Sequence, residues 1–243
     1  MFYYYGAKTA LAAHYPAPVH RTVVEPFAGS AAYAVRAMVE GVADRAVLCD
    51  RDPRIVDIWM RLLAMTPDEV LALPPVVAGV RTSDPLHWVV ATSNSWGALR
   101  NYMTVTPRMV AGWESMKRKI AASLPHMLGR TEVYLGDYAD TRQAGPATYF
   151  IDPPYQVVQR DDAVRTAFPR GMGYMRGCNS AALDFPALGR WCESLKGQVI
   201  ATEQEGADWL PFKPLRDAHD SQGVRRGEVV WINNERTQKG LAA

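Results

Sequence analysis

Residues 148–155 read Thr148-Tyr149-Phe150-Ile151-Asp152-Pro153-Pro154-Tyr155. Strand-favouring apolar residues end in a carboxylate, and the two prolines after it cannot continue the hydrogen bonding of a strand. We therefore predict a buried parallel strand over 149–151 that ends at Asp152. Open α/β sheets bind their ligands at the carboxyl ends of the strands, so this turn is a candidate functional site.

The chemical groups of this turn indicate what it can bind. The Asp152 carboxylate and the Pro153 carbonyl accept hydrogen bonds, and neither Pro153 nor Pro154 can donate one. Two acceptors suit a nitrogen that carries two hydrogens, such as the amino group of a nucleobase, and Tyr155 can stack on the base. Such contacts would favour a pyramidal nitrogen whose lone pair faces an electrophile. An ordinary tight turn after a strand uses the same residue types and is the alternative.

A second candidate site lies in residues 22–32, where the sequence predicts a strand, a short turn that contains glycine and the start of a helix. Gly29 allows a ligand to approach the backbone closely, and Ser30 is a candidate N-cap for the next helix. The full glycine pattern of dinucleotide-binding loops is absent, and Glu25 would repel a pyrophosphate. An acid here fits a cofactor that carries an ammonium group and no phosphates. Asp50, which ends the next predicted strand, is placed to bind ribose hydroxyls, with a solvated turn residue as the alternative.

The composition is that of an ordinary globular α/β protein. The chain has 243 residues, of which 48% are hydrophobic, and a formal net charge of +2, so nucleic-acid binding would need a local basic patch. The three cysteines are far apart and suggest neither a disulfide framework nor a metal site, which makes a reducing cytoplasm the expected location. No signal peptide and no stretch long enough to cross a membrane is visible.

These motifs together resemble the Dam-type DNA adenine-N6 methyltransferases, bacterial and phage enzymes that use S-adenosylmethionine. The turn at 152–155 matches the family's catalytic motif, so the resemblance implies catalytic roles for Asp152, Pro153, Pro154 and Tyr155. It implies cofactor contacts from an N-terminal motif, from the loop after the first strand and from two acidic positions, namely Tyr4, Lys8, Glu25, Pro26, Phe27, Gly29, Ser30, Asp50 and Asp137. Ala31 stands where many members have glycine. Residues 226–234 resemble the closing strand, with Glu228 and Asn233 at familiar places.

The resemblance also implies the fold and its division into domains. We expect an α/β protein with a Rossmann-like methyltransferase sheet, mostly parallel with a late antiparallel strand, and a small, mainly helical inserted subdomain. The catalytic domain would comprise residues 1–65 and 131–243, and a target-recognition insertion would cover 66–130. Within that insertion, apolar spacing predicts a helix over 109–124.

Basic residues in two segments are candidates for nucleic-acid contacts. Arg100 and Asn101 lie in the expected insertion, in a stretch that resembles a DNA-contacting loop of the family, and are suited to phosphate or base edges. The segment after the catalytic turn is basic and rich in glycine, and it holds Arg160, Arg165 and Arg170. Such a loop suits salt-dependent contact with a nucleic-acid backbone. A solvated loop, or disorder without function, is the alternative.

The function expected from these features is site-specific methylation of a flipped-out adenine in double-stranded DNA. Two alternatives stay open: an adenine methyltransferase that acts on RNA or single-stranded DNA, and a catalytically silent nucleic-acid-binding module. The sequence also leaves open the recognition sequence, a restriction endonuclease partner in the same system, and the oligomeric state.

Overall fold

The computed structural model describes Phe2 and residues 11–82, 84, 86, 103–141, 145–156, 178–219 and 225–233. Seven strands form the main sheet: β1 (Thr22–Glu25), β2 (Arg45–Asp50), β5 (Thr131–Leu135), β6 (Ala147–Ile151), β7 (Gly197–Gln204), β8 (Lys213–His219) and β9 (Arg225–Ile232). Two short strands, β3 (Arg81–Thr82) and β4 (Met103–Thr104), pair with each other in antiparallel fashion. The predicted buried strand is confirmed as β6, all five residues of which are buried.

The strand order identifies the fold. In the main sheet the order is β5-β2-β1-β6-β7-β9-β8, and β9 runs antiparallel to both of its neighbours, β7 and β8. The pairs from β5 through β7 are parallel. This is the predicted Rossmann-like methyltransferase sheet with a late antiparallel strand. The strand order reverses between β1 and β6, and ligands of such sheets bind at this switch point, outside the carboxyl ends of the strands.

Helices cover both faces of the sheet. They are α1 (Ala32–Val39), α2 (Pro53–Leu63), α3 (Pro67–Leu71), α4 (Pro107–Met127) and α5 (Phe185–Ser194). One core joins α1, α2 and α4 to residues such as Phe150 of β6, and the other joins α5 to Tyr149 and Ile151 on the opposite face. Successive side chains of β6 therefore enter different cores, as the pleat of a strand requires.

Helix α4 is longer than the helix predicted over 109–124. Thr106 is its N-cap and accepts a hydrogen bond from the backbone nitrogen of Met109, and Pro107 occupies the first helical position, where its missing N–H costs no hydrogen bond. Lys117 is buried and donates from Nζ to the carbonyls of Leu71 and Leu73, at 3.3 and 3.0 Å. These bonds fasten the end of α3 to α4. The division of the chain at 66–130 stays a prediction.

Among the described residues, no helix combines the length and the apolar character needed to span a bilayer.

Candidate active site

Asp152 lies where the sequence placed it, directly after the carboxyl end of β6. Its neighbour in the sheet is β7, in which Ala201 pairs with Ile151. The next residue of β7 is the fully buried Thr202, whose hydroxyl donates to Asp152 Oδ1 at 3.0 Å. Asp152 is half-buried and Pro153 is buried. The carboxylate therefore faces the edge of the sheet with one oxygen oriented by a neutral donor.

Tyr155, the last residue of the same motif, is held through its hydroxyl. The hydroxyl donates to Glu228 Oε1 at 2.6 Å, and Tyr15 donates to the same oxygen at 2.8 Å. Glu228 lies in β9 and is buried. Burial, together with the negative charges of Asp152 and Glu228, raises the pKa of Tyr155, and burial followed by Glu228 raises that of Tyr15. Both phenols are therefore protonated donors at neutral pH.

A third acid, Glu203, holds the chain just after the catalytic motif. It has no exposed surface, and its carboxylate accepts from the backbone nitrogens of Gln156 at 2.7 Å and Gln204 at 3.0 Å. The indole nitrogen of Trp209 donates to the same group at 3.2 Å. Burial raises the pKa of Glu203 to about 7, because these three hydrogen bonds only partly offset the cost of charging it.

Glu25, across the switch point at the end of β1, is almost completely buried. Its Oε1 accepts from the backbone nitrogen of Ala34 in the first turn of α1, at 2.6 Å. Within the described part of the chain, no hydrogen-bond donor reaches Oε2. Burial raises the pKa of Glu25 well above its usual range, the bond from Ala34 opposes this, and the charge of Asp152 adds to it. A buried carboxylate with an unused oxygen suits a cationic ligand.

The prediction that Ser30 caps α1 is wrong. Helix α1 begins at Ala32 and its N-cap is Ala31, whose side chain cannot accept a hydrogen bond from the helix. The carboxylate of Glu25 supplies the missing acceptor from β1, so the helix start is satisfied by a group nine positions earlier in the chain. Ser30 itself is buried in the loop.

The loop between β1 and α1 has a tight backbone. Gly29 has a φ of 44° and Ala31 a φ of 46°, both in the left-handed region that favours glycine. The indole nitrogen of Trp59 donates to the Gly29 carbonyl at 2.9 Å, and the Gly29 nitrogen donates to Asp50 Oδ2 at 2.8 Å. The turn is therefore fixed from α2 and from the end of β2.

Asp50 connects this loop to the start of α2. Its second oxygen, Oδ1, accepts from the backbone nitrogen of Asp52 at 2.8 Å. Burial raises the pKa of Asp50 to about 6, against the hydrogen bonds that lower it. Asp52 is buried, caps α2 and forms an ion pair with Arg54, with Oδ2 2.6 Å from Nη2. The ribose-binding role of Asp50 stays a prediction.

The expected adenine end of the cofactor site lies beside β5. Asp137 caps a 3₁₀ turn over Tyr138–Asp140, and its Oδ2 lies 3.2 Å from Arg51 Nε. Phe27, in the β1–α1 loop, stacks on Tyr138 with ring centres 5.8 Å apart. Pro26, next to Phe27, is buried. The structure therefore gathers Phe27, Asp50 and Asp137 around one corner of the sheet, and their contacts to a cofactor stay predictions.

Several predicted site residues lie outside the residues that the structure describes. They are Tyr4 and Lys8 of the N-terminal motif, Arg100 and Asn101 of the expected recognition loop, and Arg160, Arg165 and Arg170 after the catalytic turn. Asn233, at the end of β9, has a structural role: its side chain accepts from the nitrogen of Val199 and donates to the carbonyl of Gly197, both at 2.9 Å.

Three residues around the Asp152 turn were not predicted from the sequence: Tyr15, Thr202 and Glu203. Glu203 carried a usable signal, because it follows an apolar strand as Asp50 and Asp152 do. Thr202 and Tyr15 carried none, since their partners are 50 and 213 positions away.

The edge of the sheet that holds these residues is acidic. Glu25 and Asp50 are the last residues of β1 and β2, and Asp152 directly follows β6. Glu203 and Glu228 lie near the carboxyl end of β7, where Glu228 of β9 pairs with Gln204. Burial raises the pKa of Glu25 and of Glu203, and the negative charge of Asp152 adds to the increase in both. A ligand with positive charge would relieve this repulsion, so the edge favours a cationic ligand over a phosphate.

Comparisons with known proteins give a fold-level likeness. No protein-family model matches the chain, and no curated protein matches it in sequence. Among solved structures, the rRNA methyltransferase aviRa from Streptomyces viridochromogenes is similar, with 15% sequence identity and a TM-score of 0.45 over 92% of this chain and 84% of that one. The fold assignment follows from the strand order.

Proposed function

We propose that this protein is an S-adenosylmethionine-dependent methyltransferase that methylates the exocyclic amino group of adenine in double-stranded DNA. The observation that carries the proposal is the Asp152 turn at the carboxyl end of β6, next to the switch point whose other side holds buried Glu25. The Asp152 turn is suited to an aromatic amine, and Glu25 is suited to a cation. A methyl donor and an amine acceptor can therefore meet between β1 and β6.

The residues around β1 and β2 fit the cofactor. S-adenosylmethionine supplies an electrophilic methyl group on a positively charged sulfur. The Glu25 carboxylate would accept from its ammonium group, because one buried oxygen of Glu25 lacks a donor within the described residues. Asp50 would accept from the ribose hydroxyls with the lone pairs that its two backbone bonds leave, and Asp137 from the adenine amino group.

The residues around β6 fit the target base. The Asp152 carboxylate and the Pro153 carbonyl would accept the two hydrogens of the adenine amino group, and the ring of Tyr155 would stack on the base. Asp152 acts as an orienting acceptor, because an aromatic amine is too weakly acidic for a carboxylate to deprotonate first. The carbon–nitrogen bond would form as the carbon–sulfur bond of the sulfonium breaks, which leaves a neutral thioether. The nitrogen would then lose its extra proton to solvent. A base buried in a duplex cannot reach this corner, so the target adenine must be flipped out of the helix.

The contacts proposed for the nucleic acid are based on the sequence alone. Arg100 and Asn101 would contact the target, and Arg160, Arg165 and Arg170 would neutralise phosphates next to the flipped base.

The substitution Asp152→Ala tests the proposal. We expect methyl transfer to fall by about 100-fold or more, the scale of losing an oriented electrostatic contact in a transition state. The affinity for S-adenosylmethionine should stay within a few-fold, because the cofactor contacts lie on β1, β2 and β5. Asp57→Ala, which removes an exposed carboxylate of α2, is the control. Near-normal turnover by Asp152→Ala with intact cofactor binding would show that the assignment is wrong.

A further inference from the structure

We propose that Glu228 and Tyr15 are positioning residues that orient the ring of Tyr155 for the flipped base. This inference rests on the proposed function and adds to it a role for the antiparallel strand β9, which contributes no catalytic residue of its own. Glu228 would act through Tyr155 and would touch neither base nor cofactor.

The register of β9 places Glu228 at the edge of the sheet that carries Asp152. Because β9 is antiparallel to β7, the first part of β9 lies beside the carboxyl end of β7, and Glu228 pairs there with Gln204. Glu228 is 7% exposed. Its Oε1 receives the hydroxyls of Tyr155 and Tyr15 at 2.6 and 2.8 Å. One buried oxygen therefore fixes two tyrosine rings at the edge that carries Asp152.

Tyr15 connects this hydrogen-bonded group to strand β6. The ring of Tyr15 packs edge-on against Phe150 with centres 4.9 Å apart, and Phe150 stacks on Tyr33 at 4.5 Å with planes 6° apart. Tyr33 is fixed in turn by its hydroxyl, which donates to the carbonyl of Pro16 at 2.7 Å. Phe150 lies two residues before Asp152. The oxygen that holds Tyr155 is thus positioned against the strand that presents Asp152.

The contact has a consequence for how Tyr155 works. A ring that stacks on a base contributes through its face, and its plane depends on two torsion angles that a half-buried side chain does not fix by packing alone. The bond to Glu228 holds the hydroxyl in place and so restrains the first of these angles. Because a phenol O–H prefers to lie in the plane of its ring, an acceptor in a fixed position also favours one orientation of the ring plane. Because the hydroxyl is already engaged, Tyr155 offers the base its face and not a hydrogen bond.

The test compares steady-state methyl transfer by the wild type, Glu228→Ala, Glu228→Gln, Tyr155→Phe and the double variant Glu228→Ala/Tyr155→Phe. We expect Glu228→Ala to lower kcat about tenfold, as for one lost hydrogen bond to a charged group, with the KM for S-adenosylmethionine within twofold. Glu228→Gln keeps an acceptor oxygen and should recover most of the activity. In the Tyr155→Phe background, removal of Glu228 should cost twofold or less, because the same bond is already broken.

Glu205→Ala is the matched control. It removes an exposed carboxylate one residue beyond Gln204 and should change kcat by no more than twofold. If Glu228→Ala unfolds the protein, Tyr155→Phe alone decides, because it must reproduce the tenfold loss in kcat.

Two other outcomes overturn the positioning role. One is a tenfold loss from Glu228→Ala in both backgrounds, which would mean that Glu228 acts independently of Tyr155. The other is an active wild type whose kcat does not change in Glu228→Ala or Tyr155→Phe. A wild type that binds the cofactor and methylates no nucleic acid would instead overturn the proposed function, and the inference with it.

Discussion

Asp152 and Glu203 are neighbouring carboxylates whose different surroundings suit them to different roles. Asp152 is half-buried, and one of its oxygens accepts a hydrogen bond from the hydroxyl of Thr202. Glu203, the residue after Thr202 in β7, is fully buried and accepts hydrogen bonds from three N–H groups. Asp152 directly follows β6 and keeps part of its surface exposed at the edge of the sheet, where a ligand can reach it. The carboxylate of Glu203 accepts hydrogen bonds from the chain itself, and one of them holds Gln156 in place.

Replacement of Thr202 by valine should lower kcat about tenfold, because valine has nearly the same shape and lacks the hydroxyl that orients Asp152. Thr202→Ser keeps the hydroxyl and should retain most of the activity. The measurement is methyl transfer at saturating cofactor, with the cofactor affinity of each variant determined by calorimetry. A valine variant with the kcat of the wild type would mean that Asp152 needs no such support.

At the scale of elements, the β1–α1 loop combines backbone strain with long-range capping. Ala31 sits at a φ of 46° and a ψ of 46°, is fully buried, and precedes a helix whose first turn is capped by Glu25. The left-handed conformation costs an alanine about 1–2 kcal/mol and a β-branched residue more.

Ala31→Val should therefore destabilise the protein by roughly 2 kcal/mol or more, through strain and overpacking together. Ala31→Gly should change stability by less than about 1 kcal/mol, since relief of strain is offset by the greater freedom of glycine in the unfolded chain. Urea denaturation of the three proteins measures both values. Equal stabilities of the valine and glycine variants would contradict the left-handed conformation at Ala31.

The elements differ in how much of them the sequence could predict. Strand β6 and the start of α2 were predictable, because apolar β-formers before prolines and an Asp-Pro pair are local signals. The cap of α1 was not, because Ser30 offers the usual local signal and the acceptor actually comes from Glu25. Local rules fail where a tertiary contact supplies the same hydrogen bond.

At the scale of the whole molecule, the site is assembled from segments that are distant in the chain. Tyr15, Thr202 and Glu228 meet the Asp152 turn only through the strand order, which brings β7 and β9 beside β6. The sequence motifs predicted the position of the Asp152 turn and of the acids that end β1 and β2. They could not predict residues whose partners depend on the register of the closing strands.

The buried acids make the stability of the whole fold depend on pH. Burial raises the pKa of Glu203 from 4.5 to about 7, so between these values the folded state binds more protons than the unfolded state. Stability must then fall as pH rises through this window, by about 3 kcal/mol from Glu203 alone. Asp50, with a pKa raised to about 6, contributes in the same direction.

The variant Glu203→Gln should flatten this dependence, because its side chain does not titrate. Urea denaturation at pH 5 and pH 8 should show a decrease in unfolding free energy that is about 2.5 kcal/mol smaller than in the wild type, because part of the effect of Glu203 is already lost at pH 5. Glu205→Gln, an exposed position in the same turn, should leave the decrease as it is. An unchanged dependence in Glu203→Gln would show that Glu203 ionises normally in the folded protein.

The most direct measurement is methyl transfer from labelled S-adenosylmethionine to unmethylated duplex DNA, with single-stranded DNA and RNA in parallel, followed by nucleoside analysis. We predict N6-methyladenine as the product and duplex DNA as the preferred substrate. A strong preference for single-stranded DNA or RNA would overturn the duplex target and keep the chemistry. Cofactor binding without transfer of a methyl group to any of the three would contradict the account at its centre.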